Sequence, residues 1–181
     1  MDLSYQIKPD DDYGTVKQVL KEEFFLSDRL ILKLKNSQKI DLNGKITHVN
    51  CKVKIFDIIH VKIDFKEDNS NIVAKNLPLI ILYEDDYYLV VAKPASMPVH
   101  PSMLHFEDSL SNGIKAYFDS IGLAKKVRPV NRLDKDTSGI VVFAKNEYIQ
   151  ECLIRQMKQN LFKKEYIAIV DGFFEKKKRD N

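Results

Sequence analysis

The segment RPVNRLDKDTSGIVVFAK, residues 128–145, constrains the chain more than any other. RPVNRLDKD is crowded with charge, TSG then turns the chain, and IVVF is as apolar as a strand inside a core. A polar loop that feeds directly into such a strand sits at the mouth of the core, and it brings Asp134 and Asp136 with it. A carboxylate in that place is a ligand, a catalyst or half of a structural ion pair. If RLD is extended, Arg132 and Asp134 point to one side while Leu133 points inward. Gly139 permits the tight passage from loop to strand. The result is one carboxylate beside a guanidinium at a surface opening, an arrangement suited to a large anionic substrate.

Two other readings of the same residues are weaker. DKDTSG puts Asp134, Asp136, Ser138 and Gly139 at the first, third, fifth and sixth positions of a calcium loop, which needs an acid at its twelfth position and a helix after it. Lys145 stands at the twelfth position and an apolar strand fills the second half, so that reading fails. DKDTS also has a superficial likeness to the Asp-x-Asp-x-Thr/Ser nucleophile loop of the Mg-dependent haloacid-dehalogenase phosphotransferases. There the apolar strand precedes the first aspartate; here it follows. His100 and His105 are spaced off any one helical face and read as loop residues rather than metal ligands.

The rest of the chain divides near KEDNSN, residues 66–71, a polar stretch that reads as a linker. Upstream, TVKQVLKEEFF places Val16, Val19, Leu20 and Phe24 at helical spacing, with Thr15 as N-cap. Ser27 caps a second helix, DRLILKLKNS, with Leu30, Ile31 and Leu34 inward and Arg29 and Lys33 on one outer face. KIDLNGKITHV carries the Asn-Gly signature of a tight hairpin, and KVKIFDIIHVKI alternates as one more strand pair. Downstream, LIILYEDDYYLVVAKP reads as a hairpin of two well-buried strands, SLSNGIKAYFDSIG as a helix, EYIQECLIRQMKQ as another, and KKEYIAIVDGFF as a final strand.

Charge is uneven along this frame. Residues 1–26 hold three lysines against six acids, whereas residues 27–62 hold eight Lys/Arg against three Asp. The local excess is a nucleic-acid signal, matched by the alternative of a solvated lysine-rich face. Cys51 and Cys152 lie far apart without metal-ligand spacing, which suits a reducing cytoplasm. No apolar run approaches the roughly 18 residues that span a bilayer. The N-terminal MDLSYQIKPDDD lacks the basic and apolar regions of a signal peptide.

The helix of GTVKQVLK, the capped basic helix of LSDRLILKLK and the hairpin of IDLNGKI together resemble an S4-type RNA-binding domain. The resemblance implies a positive ledge of Arg29, Lys33, Lys35, Lys39 and Lys45 that meets phosphates without reading bases. One departure is Phe56-Asp57, where such domains commonly carry Gly-Asp before the last strand.

VNRLDKDTSGIVVFAKN, with VVAKPASMPVHP before it and KKEYIAIVDG after it, is similar to the signature of the RluA-type pseudouridine synthases. Asn131 stands where a histidine is frequent, and Ser96 where a glycine is frequent. The resemblance implies an α+β chain: a small S4-like RNA-binding domain over residues 1–66, a linker over 67–76, and the N-terminal part of a mixed-sheet catalytic domain over 77–181. It implies an RNA substrate, with ribosomal RNA of the large subunit favoured over transfer RNA. Neither metal, nucleotide nor redox cofactor is expected, because the reaction only exchanges the N1–C1′ bond of uridine for a C5–C1′ bond. No membrane and no obligate protein partner are implied. Asp134 is expected to start the reaction, Arg132 to contact the displaced strand, Tyr166 to lie against the flipped base and Lys164 to contact RNA. Family members continue beyond the KxYxAxVxG stretch to a motif whose arginine pairs with the catalytic aspartate, so the chain reads as truncated. The competing expectation is an RNA-binding fragment without catalysis.

Overall fold

The computed structural model of the protein describes residues 1–172. Residues 1–66 form a four-stranded antiparallel sheet covered by two short helices. β1 (Asp2–Gln6), α1 (Val16–Glu22), α2 (Asp28–Asn36), β2 (Ile40–Leu42), β3 (Lys45–Ile46) and β4 (Ile58–Lys62) follow in sequence, and the strand order in the sheet is β1-β4-β2-β3. Both helices start where the sequence predicts. Thr15 closes a capping box with Gln18, and the Ser27 side chain accepts from the Leu30 N–H. Val16, Val19, Leu20, Leu30 and Leu34 are fully buried, each contributing about 1.5–3 kcal/mol relative to exposure. Asn43 and Gly44 both take positive φ, 54° and 76°, as a tight hairpin turn requires.

One strand in this half was not expected, and one expectation is corrected. The N-terminal residues form β1, which pairs along its whole length with β4; the alternation of Leu3, Tyr5 and Ile7 carried that signal. KVKIFDIIHVKI yields one strand, not a pair. The chain turns over residues 54–57, where Asp57 N–H donates to Lys54 O at 3.1 Å, and β4 finds its partners in β1 and β2 instead.

Residues 67–76 are not a loose tether. Asn69 and Ile72 are buried, Ile72 within the second core. This polar stretch is fixed by groups far away in sequence: Asn69 Oδ1 accepts from Val127 N–H at 3.3 Å and its Nδ2 donates to Lys125 O at 3.3 Å.

The second core is built on a three-stranded antiparallel sheet, β5 (Ile80–Glu84), β6 (Tyr88–Lys93) and β7 (Gly139–Ala144), in that order. Leu89, Val91, Val141 and Phe143 point to one face and meet Leu110, Ile114 and Phe118 of α3 (Leu110–Ser120). β5 departs from the well-buried strand expected of it: Ile80 is 64% exposed and Leu82 51%. It is an edge strand of the sheet, reached by α3 at Glu84, which accepts from Tyr117 OH at 2.5 Å. α4 (Glu147–Lys158) begins directly after β7, capped by Asn146. It lies against the N-terminal unit, where Tyr148 packs on the first core and Glu151 accepts from Ser27 Oγ at 2.6 Å. The strand expected in KKEYIAIVDGFF does not form among the described residues: 163–170 run without a ladder partner, and Ile167 and Ile169 are fully exposed. Residues 173–181, the end of that expectation and of the proposed catalytic domain, lie outside the described residues. No helix among the described residues is long and apolar enough to cross a membrane.

Candidate active site

The loop between Val130 and β7 carries the charged residues of the signature, and three anchors hold it. The first is Leu133, which packs on the second core and leaves Arg132 and Asp134 exposed on either side of it. Gly139 enters β7 at φ 142°, a conformation that side-chain-bearing residues rarely adopt, and an added Cβ would stand 3.3 Å from Leu133 Cδ1. The glycine therefore serves both the turn and the inward seat of Leu133.

The second anchor is Lys93, at the end of β6. It is 1% exposed, and its Nζ donates to Pro94 O at 2.9 Å, Met97 O at 2.6 Å and Lys135 O at 2.8 Å. Met97 N–H donates to the same Lys135 carbonyl at 3.2 Å. The peptide between Asp134 and Asp136 is thus tied to the loop after β6. Burial pulls the Lys93 pKa down, while the charges of Asp136 and Asp134 work the other way. Ser96 Oγ donates to Asp136 Oδ1 at 3.4 Å, and Thr137 N–H closes a turn onto Asp134 O at 3.1 Å. Lys93 had no role assigned from sequence. Its signal was a lysine ending an apolar strand, immediately before Pro94.

The third anchor is Asn131, 7% exposed, whose side-chain amide bonds in both directions to β7. Nearby, burial and the charge of Arg132 push the His100 pKa below its ordinary value, and His100 Nδ1 lies 3.2 Å from Ser111 Oγ.

Arg132 and Asp134, expected side by side, form no ion pair with each other among the described residues. Both side chains extend into solvent, where the entropy of two free side chains outweighs a surface attraction. Lys164 and Tyr166 do approach the loop. With Leu133, Thr137 and Gly139 they line a cleft of about 480 Å³, outside which Arg132 and Asp134 lie. Tyr166 is 63% exposed.

The basic ledge is only partly available. Lys33 pairs with Glu147 and, at 3.4 Å, with Glu67, and its ammonium sits 4.0 Å from the Phe65 ring centre. Lys39 pairs with Asp64. These acids come from elements remote in sequence, so helical spacing could not show them. Among the described residues Arg29, Lys35 and Lys45 make no ion pair, and Arg29 and Lys45 are exposed. No group of three or more His, Cys, Asp or Glu among the described residues converges as a metal site.

Comparison with known proteins agrees with the signature. The family model described as RNA pseudouridylate synthase matches residues 87–180. The uncharacterized RNA pseudouridine synthase YjbO of Bacillus subtilis is 34% identical over 159 residues, covering 87% of this chain and 56% of its own length. The ribosomal large subunit pseudouridine synthase D of Haemophilus influenzae is 31% identical over 176 residues, 96% of this chain and 54% of its own length. A solved structure of human RNA pseudouridylate synthase domain containing 4 is similar at TM-score 0.37 and 23% identity, over 44% of this chain and 30% of that one. The chain thus spans about half the length of the curated relatives it matches. The matched residues include β6, the Lys93 loop and the whole segment from Arg128 to β7, and on that match the chain belongs to the RNA pseudouridylate synthase family.

Proposed function

We propose that the chain carries the catalytic loop of an RNA pseudouridine synthase acting on a uridine of large-subunit ribosomal RNA, with Asp134 as the reacting carboxylate. The observation that carries this reading is the presentation of Asp134. Its side chain is exposed to an incoming nucleotide, while its flanking backbone is fixed by Lys93, Met97 and Asn131. A reacting group on a rigid support costs little reorganisation during reaction.

In the reaction the uridine leaves its stack. The N1–C1′ bond breaks with help from Asp134, by attack or by removal of a sugar proton. The base turns, a C5–C1′ bond forms, the C5 proton is released and N1 gains one. Arg132 meets the backbone of the displaced strand. Tyr166 and Lys164, which line the cleft, serve as the stacking surface and as a phosphate contact. Residues 1–66 serve as an S4-like RNA-binding unit, with Arg29, Lys35 and Lys45 as its free cations. The ribosomal target rests on the names of relatives such as the Haemophilus influenzae enzyme.

The test is release of C5 tritium from labelled large-subunit ribosomal RNA, with the chain itself and with the chain extended by the region of YjbO beyond the matched residues. Asp134→Asn is expected to abolish release while RNA affinity stays within about twofold, since a surface carboxylate contributes little to binding. Turnover by Asp134→Asn near that of the parent would overturn the assignment.

A further inference from the structure

Residues 128–131 run along the outer edge of β7. Ala144 N–H donates to Arg128 O at 2.9 Å, and Val130 N–H donates to Val142 O at 2.7 Å. One residue later the backbone leaves the strand, yet the ladder does not stop. Val142 N–H donates to Asn131 Oδ1 at 2.9 Å, and Asn131 Nδ2 donates to Ile140 O at 2.9 Å. The orientation of the amide is fixed by its partners, because an N–H can only donate and a carbonyl can only accept. A primary amide carries the same donor and acceptor as a peptide group, so this side chain continues the ladder for one more step. It does so at the base of the loop that holds Arg132, Asp134 and Asp136. Lys93 and Met97 fix the tip of that loop at Lys135; Asn131 fixes its root.

We propose that Asn131 is a positioning residue: its amide stands in for a peptide group on β7 and thereby sets where residues 132–138 present Asp134. The functional half of this inference rests on Asp134 being the reacting carboxylate. Alanine at 131 removes both bonds and leaves Val142 N–H and Ile140 O unpaired. Aspartate keeps the size and the acceptor for Val142, but loses the donor and sets a carboxylate against the Ile140 carbonyl.

The experiment compares the 181-residue chain with Asn131→Ala and Asn131→Asp by amide exchange and backbone relaxation, beside the tritium-release assay. In both variants the signals of residues 132–138 are expected to shift and lose order, while β5 and β6 keep their protection. In the alanine variant the Val142 amide is expected to exchange about tenfold faster, the scale of losing one or two buried hydrogen bonds. Turnover is expected to lose about tenfold in kcat with KM within about twofold, because the reacting group and not the RNA-binding surface is displaced. Unchanged order in residues 132–138 of both variants overturns the proposal. So does loosening of β5 and β6 together with the loop, which marks Asn131 as a residue of general stability. Absence of turnover in both the parent chain and its extended form counts against the catalytic reading alone, and exchange and relaxation then still decide the positioning claim.

Discussion

Glu67 grips Arg128 with both carboxylate oxygens, Arg128 Nη1 donating to Oε2 at 2.6 Å and Nη2 to Oε1 at 2.6 Å. The two side chains are 7% and 11% exposed. Lys33 of α2 reaches the same carboxylate and also Glu147 in the first turn of α4. One network therefore joins the N-terminal unit, residues 67–76, the start of the segment that leads to Asp134, and α4. Arg128 is anchored at its side chain by Glu67 and at its backbone by β7, so the root of the loop is tied to both halves of the protein.

Glu67→Ala is expected to destabilise the protein by about 3 kcal/mol or more, because a nearly buried guanidinium loses its bidentate partner. The paired replacement Glu67→Met with Arg128→Leu is expected to recover most of that loss. Urea denaturation of the three proteins measures it, and a cost below about 1 kcal/mol for Glu67→Ala would mean that the pair is screened like a surface one. Burial pushes the Glu67 carboxyl up, but the hydrogen bonds and charge of Arg128, with Lys126 N–H and Lys33, hold it below its usual value. A carboxyl depressed in the folded state stabilises above its unfolded pKa of about 4.3. That contribution is lost as pH falls through the lower folded value. The unfolding midpoint should therefore drop below about pH 4.3 more steeply in the parent than in the Glu67→Met, Arg128→Leu protein.

RNA affinity should separate the free cations from the engaged ones. Reversing Arg29 or Lys45 to Glu is expected to weaken RNA binding and to lower the log–log salt slope by about 1 for each phosphate that the reversed side chain no longer neutralises. Lys33→Ala is expected to act through docking of the two halves, lowering stability with little change in that slope. A slope unchanged by Arg29→Glu and Lys45→Glu together would mean that the exposed cations are a solvated face.

The helices, the Asn43-Gly44 hairpin, the Gly139 turn and the charged loop ahead of β7 were legible because each is written in a local pattern: caps, spacing or a turn signature. The ion pairs of Lys33 and Lys39 were not, since their acids lie far away in sequence. Nor was the docking of residues 67–76, whose polar side chains look solvated until Lys125, Val127 and Arg128 are folded against them. Arg132 and Asp134 are both exposed with Leu133 half-buried between them, but alternation along a strand says nothing of whether two side chains meet. Lys93 escaped because a lysine ordinarily signals surface, and only the carbonyls of Pro94, Met97 and Lys135 make its burial tolerable.

Lys93→Met tests that burial. The methionine fills the space of the stem but leaves three carbonyls without their common donor, each a desolvated acceptor costing about 1 kcal/mol or more. The expected outcome is a loss of about 3 kcal/mol in urea unfolding, with the 94–97 loop and residues 134–136 losing amide protection first. A stable variant with that protection intact would show that Met97 N–H alone holds Lys135.

Six non-glycine residues among those described occupy left-handed backbone, and two of them, Phe56 and Ser96, stand where a glycine would be free of strain. Phe56 has φ 71° and Ser96 has φ 63°, and these are the two positions at which the chain departs from the glycine frequent in the domains it resembles. For an L residue that conformation costs about 1–2 kcal/mol. Phe56 obtains little in return: it is 67% exposed, and its turn is held by backbone bonds, Phe56 N–H to Ile7 O at 2.9 Å and Asp57 N–H to Lys54 O at 3.1 Å. Phe56→Gly should therefore raise stability by about 1 kcal/mol, less the greater unfolded-state entropy of glycine. Ser96 differs, because its hydroxyl reaches Asp136. Ser96→Gly relieves the same strain but gives up that long bond, so the gain should be smaller and the 134–136 loop more mobile. Denaturation midpoints of the two variants, with relaxation of the loop amides in the second, decide both. A loss of stability in Phe56→Gly would show that its ring is packed more tightly than its exposure indicates.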